Sequence, residues 1–486
     1  MKNSLRYCLF VLTLALTNSV FTSCDDDDNN TPNTSKVPSE KDISNTTQWA
    51  NYFVYNIMDY YYLYNEGISD ENGDPVINWL TQEDTEEYFY SLVDEEHDRF
   101  SYITDDAAAL EAEEKGNTTS MGWEYTLSLL EDGKEDVVQI IDYVYPNTPA
   151  MESGAMRGDW ILKVNGETLN TSNYRKLLDA DGEYTAARYN PTSKKQELVT
   201  YNLTARDITT SPVAKHNIFT LDDGTKVGYF LYLNFYQEFN ADMIDVFKEF
   251  KAEGVTELIL DLRYNPGGSM AACQTLASLI APSSIVNAKK RLIYYEFNEY
   301  LTEDGWGEDN TTHFSNSGNI MSGNLNLDRV IILQGHGSYS ASEATIIGLK
   351  AYMDVHTIGT TSGGKNTAML VLSPSDFKDK NKRIFPEDID NWLVEPLVAF
   401  YKNDKGESFD TTDGDGMDPD ERLNEYSYAD RGEVGTLSDP TTIGALNYIM
   451  YGSVKGSNNK SAALQNIGKL INAEKYKRIR GVAINR

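Results

Sequence analysis

Hydrophobic and polar positions divide the chain into three regimes. Residues 46 to 66 carry Trp49, Tyr52, Phe53, Tyr55, Ile57, Met58, Tyr61, Leu63 and Tyr64 at mostly helical spacing, and about 82 to 94 repeats the pattern. One apolar face per turn predicts a small helical domain. Asp98-Arg99-Phe100-Ser101-Tyr102 leads out of it, and Ala107 to Glu114 reads as a short helix. From about 118 to 206 short strands alternate with turns. Val137 to Tyr145 is β-branched and aromatic, Pro146-Asn147-Thr148-Pro149 is a turn, Ala150 to Ala155 a short helix, and Trp160 to Val164 a strand. Beyond 206, Val227 to Phe235 and Leu258 to Leu262 are continuous apolar runs of the kind a sheet buries on both faces, and Val330 to Leu333 and His356 to Ile358 repeat them. Helical periods at Ala241 to Ala252, 269 to 281 and Ala341 to Tyr352 lie between, so an α/β layered core is expected.

Composition narrows the function classes. At 486 residues the chain exceeds one ordinary core, and 40% hydrophobic with 24% charged residues is globular usage. A net charge of -33, with no cluster of Lys and Arg before the extreme C-terminus, excludes nucleic acid as a partner. Cys8, Cys24 and Cys273 leave no pair for a structural disulfide, and Cys273 reads as a helix-core residue. Lys2 and Arg6 precede an apolar run over 7 to 21, too short for a membrane span, and Thr22-Ser23-Cys24 closes it. The Phe-Thr-Ser-Cys ending resembles the lipobox of bacterial lipoproteins, which implies a signal peptide over 1–24 and lipidation of Cys24. Asp25 to Asp28 with Asn29 and Asn30 is a self-repelling block that reads as a solvated tether. It also resembles surface-export signals of outer-membrane lipoproteins in Bacteroidetes. The expected location is the cell envelope, lipid-anchored to the outer membrane and exposed at the surface.

Two loops at predicted strand ends carry the chemistry. In Asp261-Leu262-Arg263-Tyr264-Asn265-Pro266-Gly267-Gly268, a buried strand ends and a Gly pair turns the backbone with exposed N–H groups, a site suited to an oxyanion and equally to a plain strand-to-helix turn. In Gly335-His336-Gly337-Ser338-Tyr339-Ser340-Ala341-Ser342-Glu343, Ser340 and Glu343 fit a helix capping box, which is a purely structural reading. A nucleophile at a helix start would instead find unpaired N–H groups nearby, that of Ala341 among them. His336, four residues upstream in a tight loop, is poorly placed as base and reads as loop packing. His97, His216, His313 and His356 have no motif context. Lys365, in Thr360-Thr361-Ser362-Gly363-Gly364-Lys365, follows the next predicted strand, and a desolvated lysine can serve as the base.

The order from Val137 to Gly166 resembles a PDZ domain of the bacterial protease type, with Met121-Gly122-Trp123 where such domains keep their carboxylate-binding loop; Glu124 beside it adds a negative charge. Together with Asp261 to Gly268, Ser338 to Glu343 and Gly363-Gly364-Lys365, it resembles the carboxyl-terminal processing (tail-specific) serine peptidases. The resemblance implies Ser340 as nucleophile, Lys365 as general base, and Gly267 or Gly268 with Ala341 as the oxyanion hole. Gly416-Met417-Asp418-Pro419-Asp420 matches a late Gly-x-x-Pro-Asp segment of such domains. Many members carry Gln four residues after the Lys, where this chain has Met369, so Glu343 and Thr367 are candidate supports for the dyad. Tyr339 replaces a usual small residue.

The expected fold is α/β multidomain with a crotonase/ClpP-like core. Its expected domains are the signal peptide 1–24, an acidic tether 25–44, a helical domain 45–117, a PDZ-like domain 118–206, a catalytic domain 207–425 and a C-terminal helical segment 426–486. The expected activity is endopeptidase action on unfolded or tail-exposed proteins, with protein or peptide substrates, membrane attachment through Cys24, and no metal or organic cofactor implied. A non-catalytic peptide-binding lipoprotein on the same scaffold is the alternative. Asp410, Asp413, Asp415 and Asp418 fail the spacing of a calcium loop and read as a solvated acidic loop. Lys475, Lys477, Arg478, Arg480 and Arg486 read as an exposed basic helix or tail.

Overall fold

The computed structural model describes residues 37–130, 134–178, 180–379, 382–409, 411, 416–454 and 482–483. Cys24 and its signal segment, most of the tether, Asp410, Asp413, Asp415 and the basic residues from Lys475 onward lie outside the described residues.

The architecture is mixed α/β in three bodies. In the first, the helices Thr46–Tyr60 and Thr85–Leu92 are capped by Asn45 and Asp84, each accepting a backbone N–H of the first turn. The first helix stops sooner than the aromatic spacing suggests, and Tyr61, Leu63 and Tyr64 continue as irregular chain packed on the same core. Phe377, Phe385 and Ile389, brought back from far along the chain, complete that core.

The second body is an antiparallel sheet ordered Trp123–Leu129, Val137–Val144, Trp160–Val164, Gly182–Asn190, Lys195–Leu203, around Leu127, Ile141, Ile161, Tyr184 and Tyr201. The chain enters and leaves it side by side, since Asn117–Ser120 pairs antiparallel with Arg206–Thr209.

The third body is a six-stranded sheet ordered Val213–Thr220, Lys226–Tyr232, Glu257–Asp261, Arg329–Gln334, Asp354–Gly359, Glu421–Arg422, parallel after the first pair. Alternate residues serve opposite faces. Leu258, Leu260, Val330 and Ile332 face a core shared with the helices Asn240–Glu253, Met270–Ile280 and Ala341–Lys350. Ile259, Ile331 and Leu333 face Ala445 and Leu446 of the helix Pro440–Tyr451. Burial on both faces is why these strands read as unbroken apolar runs.

A second sheet was not visible in the sequence. It is ordered Thr312–His313, Arg291–Phe297, Leu397–Lys402, Thr367–Met369, Val482–Ala483. Its last pairing, Ala368 with Val482 and Met369 with Ala483, makes part of the expected C-terminal helical segment a strand. Among the described residues no helix is long and apolar enough to cross a membrane.

Candidate active site

Glu257–Asp261, Arg329–Gln334 and Asp354–Gly359 are neighbouring parallel strands, so the loops after them leave the same end of the sheet. That end is where α/β sheets gather functional groups. The first loop presents Gly267 and Gly268, the second Ser340, the third Lys365.

Backbone and hydroxyl contacts lace the first two loops together. Tyr339 N–H and Ser342 Oγ both donate to Asn265 O, at 3.1 and 2.9 Å, and Ser338 Oγ donates to Leu262 O at 2.7 Å. Of the three serines at 338, 340 and 342, two are therefore spent on structure. Ser340 Oγ makes no hydrogen bond among the described residues, although the residue is 0% exposed. A buried hydroxyl without a partner costs about 1–3 kcal/mol. Ser340 also has φ 53°, a strained conformation for a residue with a Cβ. Only the Glu343 half of the expected capping box is made, with Ser340 N–H donating to Glu343 Oε2 at 2.8 Å.

Glu343 joins the second loop to the third. Its Oε2 also accepts from Lys365 N–H at 2.9 Å, while Oε1 accepts from Ser362 Oγ at 2.5 Å and Gly364 N–H at 2.9 Å. Burial raises its pKa, and these four donors work against that rise. Tyr401 Oη lies 3.0 Å from Ser340 O and 2.5 Å from Lys365 O, so its single proton is shared between the two carbonyls, mainly with the nearer. The two residues of the expected dyad thus share a carboxylate oxygen through their amides and a phenol through their carbonyls. Gly363 permits the approach, since a Cβ there would lie 2.1 Å from the Tyr339 ring. The segment expected at 416–420 closes the back of the third loop: Met417 N–H donates to Ser362 Oγ at 2.7 Å, and Thr361 Oγ1 to Asp418 at 2.7 Å.

The Lys365 side chain is 0% exposed, and its Nζ donates to Met369 Sδ at 2.9 Å. Burial lowers its pKa from 10.5 to about 7, against the opposing pull of Glu395, Asp98 and Glu343. A buried lysine near 7 exists substantially as the free amine at neutral pH, which a general base requires. Thr367 Oγ1, also buried, has no hydrogen-bond partner among the described residues.

On the first loop, Gly267 N–H donates to Asn265 Oδ1 at 2.9 Å. Its contribution is space, because a Cβ on Gly267 would stand 2.8 Å from Ser340 Cβ. The N–H groups of Gly268 and Ala341 make no hydrogen bond among the described residues, which leaves them as the available oxyanion donors.

His336 lines a small cavity with Arg263, Gln334 and Glu425. His97 pairs with Asp94, His216 faces Glu249 at 3.3 Å and His356 stacks on Tyr448 at 3.7 Å. Cys273 is a buried helix residue against Thr345, its thiol pushed up by burial to about 12. In the second body, Met121 and Trp123 are buried and Gly122 N–H donates to Ser120 Oγ at 3.2 Å. Trp123–Leu129 is the edge strand there, and the Glu124 carboxylate accepts from Tyr145 Oη at 3.0 Å.

Sequence reasoning missed Tyr401, Phe100 and Glu395. Each is remote in the chain and recognisable only by its place around Lys365.

Residues 226–423 match the model of Peptidase family S41, 140–184 that of the PDZ domain and 50–102 that of the Peptidase S41 N-terminal domain. A carboxyl-terminal-processing protease of Synechocystis is 26% identical over 283 residues, covering 52% of this chain and 58% of that protein. The carboxy-terminal processing protease CtpB of Bacillus subtilis is 23% identical over 288 residues, covering 56% and 55%. The chain thus spans little more than half the length of these relatives. The crystal structure of a putative S41 protease from Bacteroides fragilis superposes with a TM-score of 0.63 at 26% identity, over 82% of this chain and 97% of the other. With the three matched stretches in this order, residues 226–423 form a domain of peptidase family S41 behind an S41 N-terminal domain and a PDZ domain, and the chain is similar to the carboxyl-terminal processing proteases.

Proposed function

We propose that the protein is a serine endopeptidase in which Ser340 attacks the scissile carbonyl, Lys365 takes its proton and later protonates the leaving amine, and the N–H groups of Gly268 and Ala341 hold the oxyanion. The observation that carries this reading is the Glu343 Oε2 atom that accepts from the amides of both Ser340 and Lys365. That clamp ties the two backbones to one carboxylate; Ser340 Oγ has no partner among the described residues and Lys365 Nζ is held on Met369 Sδ, so the Ser340–Lys365 hydrogen bond forms only when the side chains rearrange. A protein that only holds peptides needs neither an unpaired serine hydroxyl nor a desolvated lysine. Both residues are buried, so cleavage requires the site to open.

The substrates are unfolded or tail-exposed proteins, captured by the PDZ body as an added strand on the edge Trp123–Leu129 beside Met121 and Gly122. Export with a lipid on Cys24 completes the reading, supported by the residues before it. Incubation with β-casein, read by mass spectrometry, tests the chemistry: Ser340→Ala and Lys365→Ala must each abolish new peptide ends. Undiminished cleavage by either variant overturns it. Export is tested separately by palmitate labelling of cells, which Cys24→Ala must eliminate, and by protease shaving of intact cells, which must remove the wild-type protein.

A further inference from the structure

Residues 98–101 link the helical N-terminal body to the strand Tyr102–Thr104 and form one wall of the lysine pocket. Asp98 Oδ1 accepts from the N–H groups of Phe100 and Ser101 at 2.7 and 2.8 Å, folding the segment into a tight turn. Arg99 Nη2 donates to Gly363 O and Gly364 O, at 3.0 and 3.1 Å, grasping the loop that ends in Lys365. Ser101 Oγ accepts from Leu397 N–H at 2.9 Å, and Tyr102–Thr104 pairs antiparallel with Leu393–Glu395. These anchors set the Phe100 ring with its centroid 4.5 Å from Lys365 Nζ. Met369 Sδ meets the same nitrogen at 2.9 Å.

We propose that Phe100, carried by the N-terminal body, and Met369, on the strand that follows the lysine, are positioning residues that hold the Lys365 amine between an aromatic face and a thioether. The N-terminal body is then a working part of the Ser–Lys site. The proposal rests on the reading of Lys365 as the base.

The physical reason lies in what such neighbours do to a proton. An aromatic face attracts an ammonium, and a thioether is a weak acceptor, so both fix the nitrogen while favouring its charged form less than an amide or carboxylate oxygen in contact would. The charged groups around it are Glu395 from the paired strand, Asp98 and Arg99 from the 98–101 segment, and Glu343 from the nucleophile helix. The three carboxylates pull the pKa up while burial and Arg99 push it down, leaving it about 7. The aromatic face and the thioether add to the pull on the proton, each by less than an oxygen acceptor in contact would.

The acid limb of kcat/KM for β-casein against pH reads the lysine in the free enzyme. Phe100→Leu removes the aromatic face and is expected to move the limb down by about one pH unit, whereas Phe100→Tyr leaves it in place. Met369→Gln supplies a stronger acceptor and is expected to move the limb up by about one unit. A limb that stays within about 0.2 units of wild type in Met369→Gln and in Phe100→Leu overturns the proposal, whatever happens to overall rate. Met369→Gln alone decides the matter if Phe100→Leu fails to fold by thermal melting. Cleavage surviving in Lys365→Ala would instead refute the base assignment. An inactive Lys365→Ala with unmoved limbs refutes only the positioning roles.

Discussion

Burying Lys365 costs the fold stability. Its pKa falls from 10.5 to about 7 through burial, so folding expels a proton at any pH between those values. The sign follows: the folded state is penalised in full below about 7, and stability is recovered as pH rises toward 10.5. Lys365→Met, which fills the same space without a charge, is expected to melt above wild type by a wide margin at pH 7 and a narrower one at pH 10. Thermal unfolding across that range checks it, and a constant margin would contradict the buried amine. Gly267 makes the second prediction at this scale. Its φ of 106°, and the 2.8 Å that would separate a Cβ there from Ser340 Cβ, leave no room for a methyl group. Gly267→Ala is expected to lower kcat/KM on β-casein by about 100-fold or more through displacement of Ser340, and to lower the melting temperature as well, because the strained backbone and the clash cost stability.

Among the elements, the helix Ala341–Lys350 is tied to the Lys365 loop through one side chain. Glu343 satisfies donors on Ser340, Ser362, Gly364 and Lys365, so Glu343→Gln presents an NH2 group to two donors that need an acceptor. Hydrogen bonds to a charged acceptor contribute roughly 1.5–3 kcal/mol each, so a destabilisation of about 3 kcal/mol is expected, with cleavage falling by at least about 100-fold as the dyad separates. Urea unfolding and kcat/KM measure the two effects. The sequence marked Glu343 by its capping-box spacing and as a candidate support for the dyad, but not by its contacts, because its partners 362, 364 and 365 reach it only through the fold. The parallel strands were legible because both their faces are buried, and the Ser340 and Lys365 loops because they stand at those strand ends. The second sheet was not. Arg291–Phe297 pairs with Leu397–Lys402 across more than a hundred residues, and Thr367–Met369 is too short to show a period.

At the scale of the whole molecule, the PDZ body, the catalytic sheet and the C-terminal segment meet in a buried cluster of charge that no local pattern announces. Glu425 Oε2 accepts from Arg157 of the PDZ body, from Arg263 at 3.0 Å, from Arg431 at 2.8 Å and from Tyr264 Oη at 2.7 Å. Arg263 also reaches Asp261 and Asp439, and Arg431 reaches Asp142. Only Asn265-Pro266 separates Arg263 and Tyr264 from the Gly267-Gly268 turn, so the interface that seats the PDZ body is continuous with that loop. Burial pushes the Glu425 carboxyl up, but Arg263, Arg431 and Arg157 outweigh it and hold its pKa well below 4.5. A depressed carboxyl stabilises the fold above its unfolded pKa and loses that contribution as pH falls below it. Glu425→Gln leaves three arginines facing a neutral amide, which is expected to cost about 3–5 kcal/mol at pH 7. The same variant must lose less stability than wild type between pH 5 and 3, since the group that titrates there is gone. Urea unfolding at several pH values measures both. Equal acid sensitivity in the two proteins would mean that the PDZ body is held against the sheet and the C-terminal segment by packing rather than by this charge cluster.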